Sequence, residues 1–439
     1  LTPPYTVVHN GRQQLVQRVT VDGGSGARAD LSSPCREPTD GYFVMLQLDP
    51  AEVNSGAQSA VEVTSSDPAL QLDIAAALRP TPVAGAAPPP VRQVGAGKWA
   101  FQLQGPGSWV LELRADALSY RQRSFASGLM VFAEFEDTDP PQVSDPSVVF
   151  FGPGTHRLPL QPSWNLDGEG RGLRLANHST VYLAPGAVVL GTLRGDHVHN
   201  VSIRGRGILA AAFLPGESPP CAPARLPDCR PNCSRSSVPT SSNGVLITNG
   251  SNIRIEGITI VHATSWNIHL QSVRGAHVQR VKILGWRVYN DGVDLDSVQD
   301  AVVEDCFIRS DDDAIAVKGM GRALDTRNVT VRRSTLFNQA HGNCMQIGQV
   351  WNSAVSNIRF DHIVCVHQRG TAFEILNDGR AMVSDVVYAD VAVHALNWPE
   401  WDQNCTKAAH SLDFGLKVCS LCLPACLPVC LSVCLAGWL

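Results

Sequence analysis

The sequence predicts an all-β protein, a right-handed parallel β-helix preceded by a small β-sandwich domain. Three observations carry this expectation. The chain holds 37 Gly and 29 Pro beside many Val, Ile and Thr, a mixture that favours strands and turns, and no window reads as a long amphipathic helix. Residues 1 to about 140 alternate short apolar runs with turns. Beyond residue 148 an apolar triplet recurs at a nearly constant step.

The runs QLVQRVTVDG, YFVMLQLD, SAVEVTS, LQLDIAA, KWAFQLQ, SWVLELR and LMVFAEFE fall within residues 1–137. About seven short strands in that length suggest a β-sandwich. A Pro-rich linker spans 138–147, with Pro140, Pro141 and Pro146. Residues 148–400 then repeat: an apolar residue, another two on, and a third five further. The pattern fits Val201/Ile203/Ile208, Ile253/Ile255/Ile260, Ala276/Val278/Ile283, Ala301/Val303/Ile308, Val329/Val331/Leu336, Ile358/Phe360/Cys365 and Val386/Tyr388/Val393. From 253 onward the steps are 23, 25, 28, 29 and 28 residues; a 52-residue step before them marks an insertion on one rung or an extra rung. Two short strands per unit bury a face only by stacking as coils of a solenoid. A leucine-rich repeat would need Leu and Asn at fixed positions, which are missing. Stacked strands leave a long groove suited to a polymer.

The 439 residues exceed one ordinary core, so two domains are expected, and 44% hydrophobic with 17% charged residues is a globular composition. A net charge of −5 steers toward neither nucleic acid nor an anionic membrane. The chain starts at Leu1, as a mature end or a fragment boundary does. Sequons at Asn177, Asn200, Asn232, Asn249, Asn328 and Asn404, and Cys221, Cys229 and Cys233 in a Pro-rich stretch without a His partner, read as a secreted glycoprotein with disulfides. Residues 401–439 form an irregular tail. Its end, VCSLCLPACLPVCLSVCLAGWL, is apolar enough for a span but broken by Pro, and reads as a translated simple repeat rather than native structure.

Residues 289–319, YNDGVDLDSVQDAVVEDCFIRSDDDAIAVKG, are the densest in Asp. Solvated loop acids and turn caps account for single members of such a run. Three consecutive carboxylates running into the apolar AIAV are harder to place that way, because crowding on a partly buried strand raises the pKa of some and not others. Hydrolysis of a glycosidic bond with inversion needs that asymmetry: one carboxyl holds a proton for the leaving oxygen while another activates water.

Here the chain resembles the polygalacturonase family of glycoside hydrolases (family 28), of the pectin-lyase-like β-helix superfamily. That family carries an Asn-x-Asp element and, about twenty residues later, an Asp-Asp pair before an apolar strand. This sequence has Asn290-Asp291-Gly292 and then Asp312-Asp313-Ala314-Ile315-Ala316-Val317-Lys318-Gly319, with 21 residues from Asp291 to Asp312. The resemblance implies Asp312 as general acid, Asp291 and Asp313 as holders of the attacking water, and Asn290 as a substrate contact. Asp311 stands where the family usually has a small residue. The resemblance covers roughly 148–400. A β-sandwich ahead of a β-helix with such a triad is also similar to the dextranase and isopullulanase family (family 49), whose members likewise invert.

Two departures bear on the substrate. The family's Gly-His-Gly element corresponds to Ala340-His341-Gly342-Asn343-Cys344-Met345-Gln346-Ile347-Gly348, with Asn343 where the family has His and His341 two residues earlier on the same face. Its Arg-Ile-Lys, which binds galacturonate carboxylates, corresponds to Phe373-Glu374-Ile375-Leu376-Asn377, so both cations are missing and Arg380 lies off the motif. His341, Asn343, Glu374 and Arg380 are the expected substrate contacts, and the substrate is expected to be a neutral or differently decorated polysaccharide. Trp286 and Trp351 share these coils and read as packing or as sugar platforms.

The expected protein is a secreted monomer acting on a polysaccharide, with no cofactor, no metal and no nucleic-acid or membrane partner. Two rivals stand beside this. A Ca-dependent polysaccharide lyase would hold the cation on the Asp cluster and use Lys318 or Arg309 as base, leaving the Asn-Asp-Gly element unexplained. A non-catalytic glycan-binding β-helix is kept open by the missing cations.

Overall fold

A computed structural model describes residues 5–22, 39–54, 59–66, 72–73, 92–103, 105–113, 128–161, 170–217, 243–285, 289–321, 323–338, 342–366, 371–377, 379, 381–394, 414–418 and 431–434. The chain divides into two compact units. One holds Leu1–Gly24, Glu37–Asp139 and Pro215–Ser218; the other holds the remainder.

The first unit is built from two five-stranded sheets. Strands Arg12–Gln14, Tyr5–His9, Ser59–Ser65, Lys98–Leu103 and Arg92–Gly95 form one, in that order, all antiparallel. Strands Val16–Asp22, Thr39–Leu48, Leu129–Phe135, Gly107–Leu113 and Leu72–Asp73 form the other, with Leu129–Phe135 parallel to Thr39–Leu48. Alternate residues face one shared core: Val7, Val61, Val63, Trp99 and Phe101 from one sheet, Val44, Leu46, Trp109, Leu111 and Val131 from the other. Each of the seven runs named above contains a strand. Tyr5–His9, Arg12–Gln14 and Arg92–Gly95 escaped notice; the last is exposed at every position, so it carries no alternation to read.

The second unit is a parallel β-helix. Its inward ladders run straight through the repeat. Val181, Ile203, Ile255, Val278, Val303, Val331, Phe360 and Tyr388 pair coil to coil, and so do Leu209, Ile260, Ile283, Ile308, Leu336, Cys365 and Val393. The triplets are therefore two adjacent faces of each coil, with one correction: Leu209, not Ile208, is in register with Ile260. A second correction is that each coil has three strands rather than two. The third face runs through Thr192–Asp196, Val245–Thr248, Ile268–Gln271, Val293–Asp296, Ile315–Lys318, Met345–Gly348 and Phe373–Asn377. The 52-residue step is an insertion on one rung. Val201 pairs directly with Ile253, and the extra chain lies between strands Ile208–Ala210 and Val245–Thr248. Cys221, Cys229 and Cys233 fall in that insertion, outside the described residues.

Every coil must turn sharply, and the turns have their own ladder. His178, Asn200, Asn252, Gly275, Asp300, Asn328, Asn357 and Asp385 stack at one corner, all at φ between 53 and 71°. Asn and Asp tolerate this left-handed conformation because their short polar side chains bond locally. Asn252 Nδ2 donates to Asn200 Oδ1 at 2.6 Å and Asn328 Nδ2 to Asp300 Oδ1 at 2.6 Å. A buried disulfide, Cys344–Cys365, joins neighbouring coils with Cα atoms 6.0 Å apart. Backbone strands Phe414–Val418 and Leu431–Cys434 from the 401–439 segment pair parallel with Phe373–Asn377 and Val383–His394. Among the described residues no helix is long and apolar enough to cross a membrane.

Candidate active site

The third face carries a polar cluster on its outer side. Its strands alternate, so Val293 and Leu295, Ile315 and Val317, and Met345 and Ile347 enter the core. The residues between them point outward and stack in register. His269, Asp294, Ala316, Gln346 and Glu374 form one row; Gln271, Asp296, Lys318 and Gly348 form the next.

Just ahead of these strands lies the turn that holds the acids. Asp291 sits two residues before Val293, Asp313 two before Ile315, Asn343 two before Met345 and Thr371 two before Phe373, so they occupy the same turn position on four successive coils. Backbone hydrogen bonds stack the turns: Gly292 N donates to Asp313 O at 2.8 Å and Ala314 N to Asn343 O at 2.8 Å. Gly292 has no room for a side chain, since a Cβ would collide with Ala314 O and Ile308 Cγ2. Gly342 adopts φ +69°, and a Cβ there would run into the Asp312 and Asp313 backbone.

The structure brings Asp291, Asp312 and Asp313 together. One oxygen from each lies within 4.8 Å of the other two. Asp291 and Asp313 are buried and Asp312 is half-buried. This spacing follows from coil stacking, because adjacent parallel strands are about 4.7–4.9 Å apart. This is a distance between nearest oxygens, whereas the roughly 6.5–9.5 Å of an inverting acid/base pair is measured between whole carboxyl groups. Asp312 accepts from Tyr289 N at 3.0 Å on one oxygen and from Asp313 N at 3.1 Å on the other. Tyr289 itself is exposed and held at φ +65°. Burial, with Asp291 and Asp312 alongside, pushes the Asp313 carboxyl well above the usual carboxylate range.

Asn343 has all its hydrogen-bonding positions in use within the protein. Nδ2 donates to Asp313 Oδ1 at 3.0 Å and to Glu374 Oε2 at 2.6 Å, and Oδ1 accepts from Thr371 N at 2.9 Å and Thr371 Oγ1 at 2.7 Å. Its backbone N–H also donates to Asp313 Oδ1 at 2.7 Å. Glu374 is buried and accepts from Gln346 Nε2 at 2.8 Å. Asn290 is fully buried and donates to the carbonyls of Ala263 and Ser265, closing the preceding turn. His341, Arg380 and Trp286 lie outside the described residues; Trp351 is exposed at the end of its coil.

A residue that hydrogen-bonds Asp313 leaves a distinct kinetic trace. Asn343→Leu is expected to lower kcat about tenfold with KM nearly unchanged, and to cost about 1–3 kcal/mol through the buried Glu374 that loses a donor. Steady-state kinetics on a cleaved polymer read the split; a rise in KM at constant kcat would make Asn343 a substrate contact instead.

Three further residues complete the cluster. Lys318 is expected above only as a lyase base, and neither Asp294 nor His269 is among the expected site residues. Their signal was present: VDLD and IHLQ place a polar residue at every second position of a buried strand, and IAVK ends on one. Lys318 Nζ lies 2.5 Å from Asp294 Oδ1, 3.2 Å from Asp291 Oδ2 and 3.6 Å from the centroid of the Trp266 ring. Burial alone would weaken this ammonium, but Asp294 and Asp291 outweigh it and hold the pKa above its ordinary value. Burial pushes Asp294 well up, against the pull of Lys318. It pushes His269 down to about 4, only partly offset by Asp296. Asp296 is a turn holder: it accepts from Gln271 Nε2 at 2.8 Å and from Met320 N at 2.9 Å.

No protein-family model matches this sequence. A curated relative, a probable polygalacturonase from Vitis vinifera, is 26% identical over 160 residues, which are 34% of this chain and 32% of the relative. The match thus spans about a third of that protein's length. Among solved structures, Dex49A from Penicillium minioluteum superimposes with a TM-score of 0.50 at 14% identity, over 88% of this chain and 83% of that one. A polygalacturonase from Erwinia carotovora ssp. carotovora gives a TM-score of 0.38 at 10% identity, over 60% of this chain and 98% of that one. The likeness to Dex49A is one of fold.

Proposed function

We propose that this chain is a glycoside hydrolase that cleaves a polysaccharide with inversion at the anomeric carbon. The observation that carries the reading is the convergence of Asp291, Asp312 and Asp313 at one turn of the third face. The similarity to a probable polygalacturonase supports it. In this reading Asp312, the most accessible of the three, delivers a proton to the leaving oxygen. Asp291 and Asp313 hold the attacking water. Burial disfavours charge on Asp313, and Asp291 takes the proton that leaves the attacking water.

The substrate is a neutral or unusually decorated polysaccharide. Glu374 stands in the outward row, and Lys318 is already paired with Asp291 and Asp294. A uronate carboxylate would meet like charge there. The protein is secreted and acts as a monomer, with no nucleic-acid or membrane partner. A lyase is disfavoured by the same geometry. Lys318 is held cationic and cannot serve as base, and its ammonium 3.2 Å from Asp291 opposes a calcium ion on that carboxylate. Arg309 is buried, donates to Gly285 O at 3.1 Å and lies over the Phe337 ring.

A panel of neutral and acidic polysaccharides tests the proposal. New reducing ends without ultraviolet absorbance of unsaturated uronate are expected from a neutral polymer, with the first product by proton NMR carrying the inverted anomer. Reducing ends with that absorbance mean elimination, and no ends on any polymer means binding only. Turnover of polygalacturonate at roughly 1–1000 per second would overturn the substrate class.

A further inference from the structure

One cation stands inside the acidic cluster, and its position is specific. Strand Ile315–Lys318 places Ala316 and Lys318 outward, beside Asp294 and Asp296 of the preceding coil. The register partner of Lys318 is Asp296, yet its ammonium does not rest there. It reaches back along the strand to Asp294 and Asp291, over the small Ala316, with the face of Trp266 on its other side. Lys318 is 2% exposed and Asp294 fully buried. A buried ammonium with two carboxylates and an aromatic face is a built feature: leaving any of these groups without its partner is costly.

The groups around it fix the charge balance. Asp291, Asp294 and Asp313 are the carboxyls that act on it, Asp296 is its register partner, and His269 and Trp266 pack from the coil before. His269 Nδ1 lies 3.4 Å from Asn243 Nδ2. Among the described groups of this cluster Lys318 alone is positive near neutral pH, since His269 is neutral. A general base on Asp291 must stay ionised while a neighbouring carboxyl stacks directly on it one coil away. An ammonium 3.2 Å from one of its oxygens sets an opposite charge beside that carboxylate and fixes its orientation.

We propose that Lys318 is a positioning residue for the general base: its ammonium pairs with the Asp291 carboxylate and orients it, with Asp294 anchoring the ammonium from below. This rests on the hydrolase reading for its kinetic consequence, but not for its electrostatic one.

Both consequences are measured on the full chain with Lys318→Met, Lys318→Arg and the double variant Lys318→Met/Asp294→Asn. The double variant removes the carboxylate that the single change would orphan, so the fold is retained where the single variant fails. Carbon-13 NMR of Asp carboxyls, assigned with Asp291→Asn, follows the site's titration. An opposite charge at this range shifts a carboxyl by about 1–3 pH units. The Asp291 resonance is therefore expected to titrate about one unit or more higher in the Met variants and to return with Arg. In activity, the acidic limb of the kcat/KM profile should move up by the same amount, with kcat falling about tenfold or more and KM little changed. An Asp291 titration that does not move in the Met variants, or that Arg fails to restore in a folded protein, overturns the proposal. If the wild-type chain cleaves nothing while the titration moves as expected, the hydrolase reading fails and the role of Lys318 stands.

Discussion

Asp312→Asn is expected to lower kcat by about 10²–10⁴ while an oligosaccharide still binds. The side chain keeps its shape and loses the transferable proton. One of its two backbone donors, Tyr289 N or Asp313 N, then faces an amide NH2 in place of an oxygen, at a cost of about 1 kcal/mol. A thermal melt separates that small loss from the catalytic one. Asp311→Asn is the control. Asp311 is buried beside the triad but is outside the group of converging oxygens, so kcat should change by less than about threefold. Should Asp311→Asn inactivate and Asp312→Asn not, the proton donor is one residue earlier than assigned. Full activity in both would make the cluster structural.

Phe360→Ala is expected to be strongly destabilising to the β-helix. Phe360 is fully buried and stacks on Tyr388 of the next coil, with centroids 5.0 Å apart and rings 6° from parallel. Tyr388 in turn meets the edge of Phe373, whose strand carries Glu374. Removing the ring leaves a cavity that stacked coils cannot close, because each strand is held at a fixed spacing by its neighbours. A loss of about 3–5 kcal/mol follows. For a unit of this size each kcal/mol lowers Tm by about 2–4 °C, so the transition should fall by roughly 6–20 °C. Phe360→Leu should retain most of the stability. A drop under about 2 °C in the Ala variant would contradict the inward placement of this ladder.

Much of this was legible in residue order. The triplet at Ile253/Ile255/Ile260 and its successors names two faces of every coil, because a buried strand must repeat its apolar residue where the coil above repeats its own. The third face does not enter the expected triplet although Val293/Leu295 and Ile315/Val317 carry the same alternation, because the strand after Asp313 is read there as the end of the acidic motif. Ile208 stands in the expected triplet in place of Leu209 because a three-residue strand of Ile, Leu and Ala offers no polar partner to fix its phase.

What the sequence determined by itself is the fold class, the coil period and the approach of Asp291 to Asp312 and Asp313. Periodicity is a local property, and two turns one period apart must lie one coil apart. The tertiary structure decided what those side chains touch. Asn343, expected as a sugar ligand, has four side-chain hydrogen bonds within the protein. Lys318 could be read as a base until Asp294 and Asp291 were found against it. The tight spacing of the acids also came only from the stack. Contacts between coils depend on register and rotamer across 20 to 30 residues of chain, and a side chain's charge and bonding are set by neighbours that its own segment does not contain.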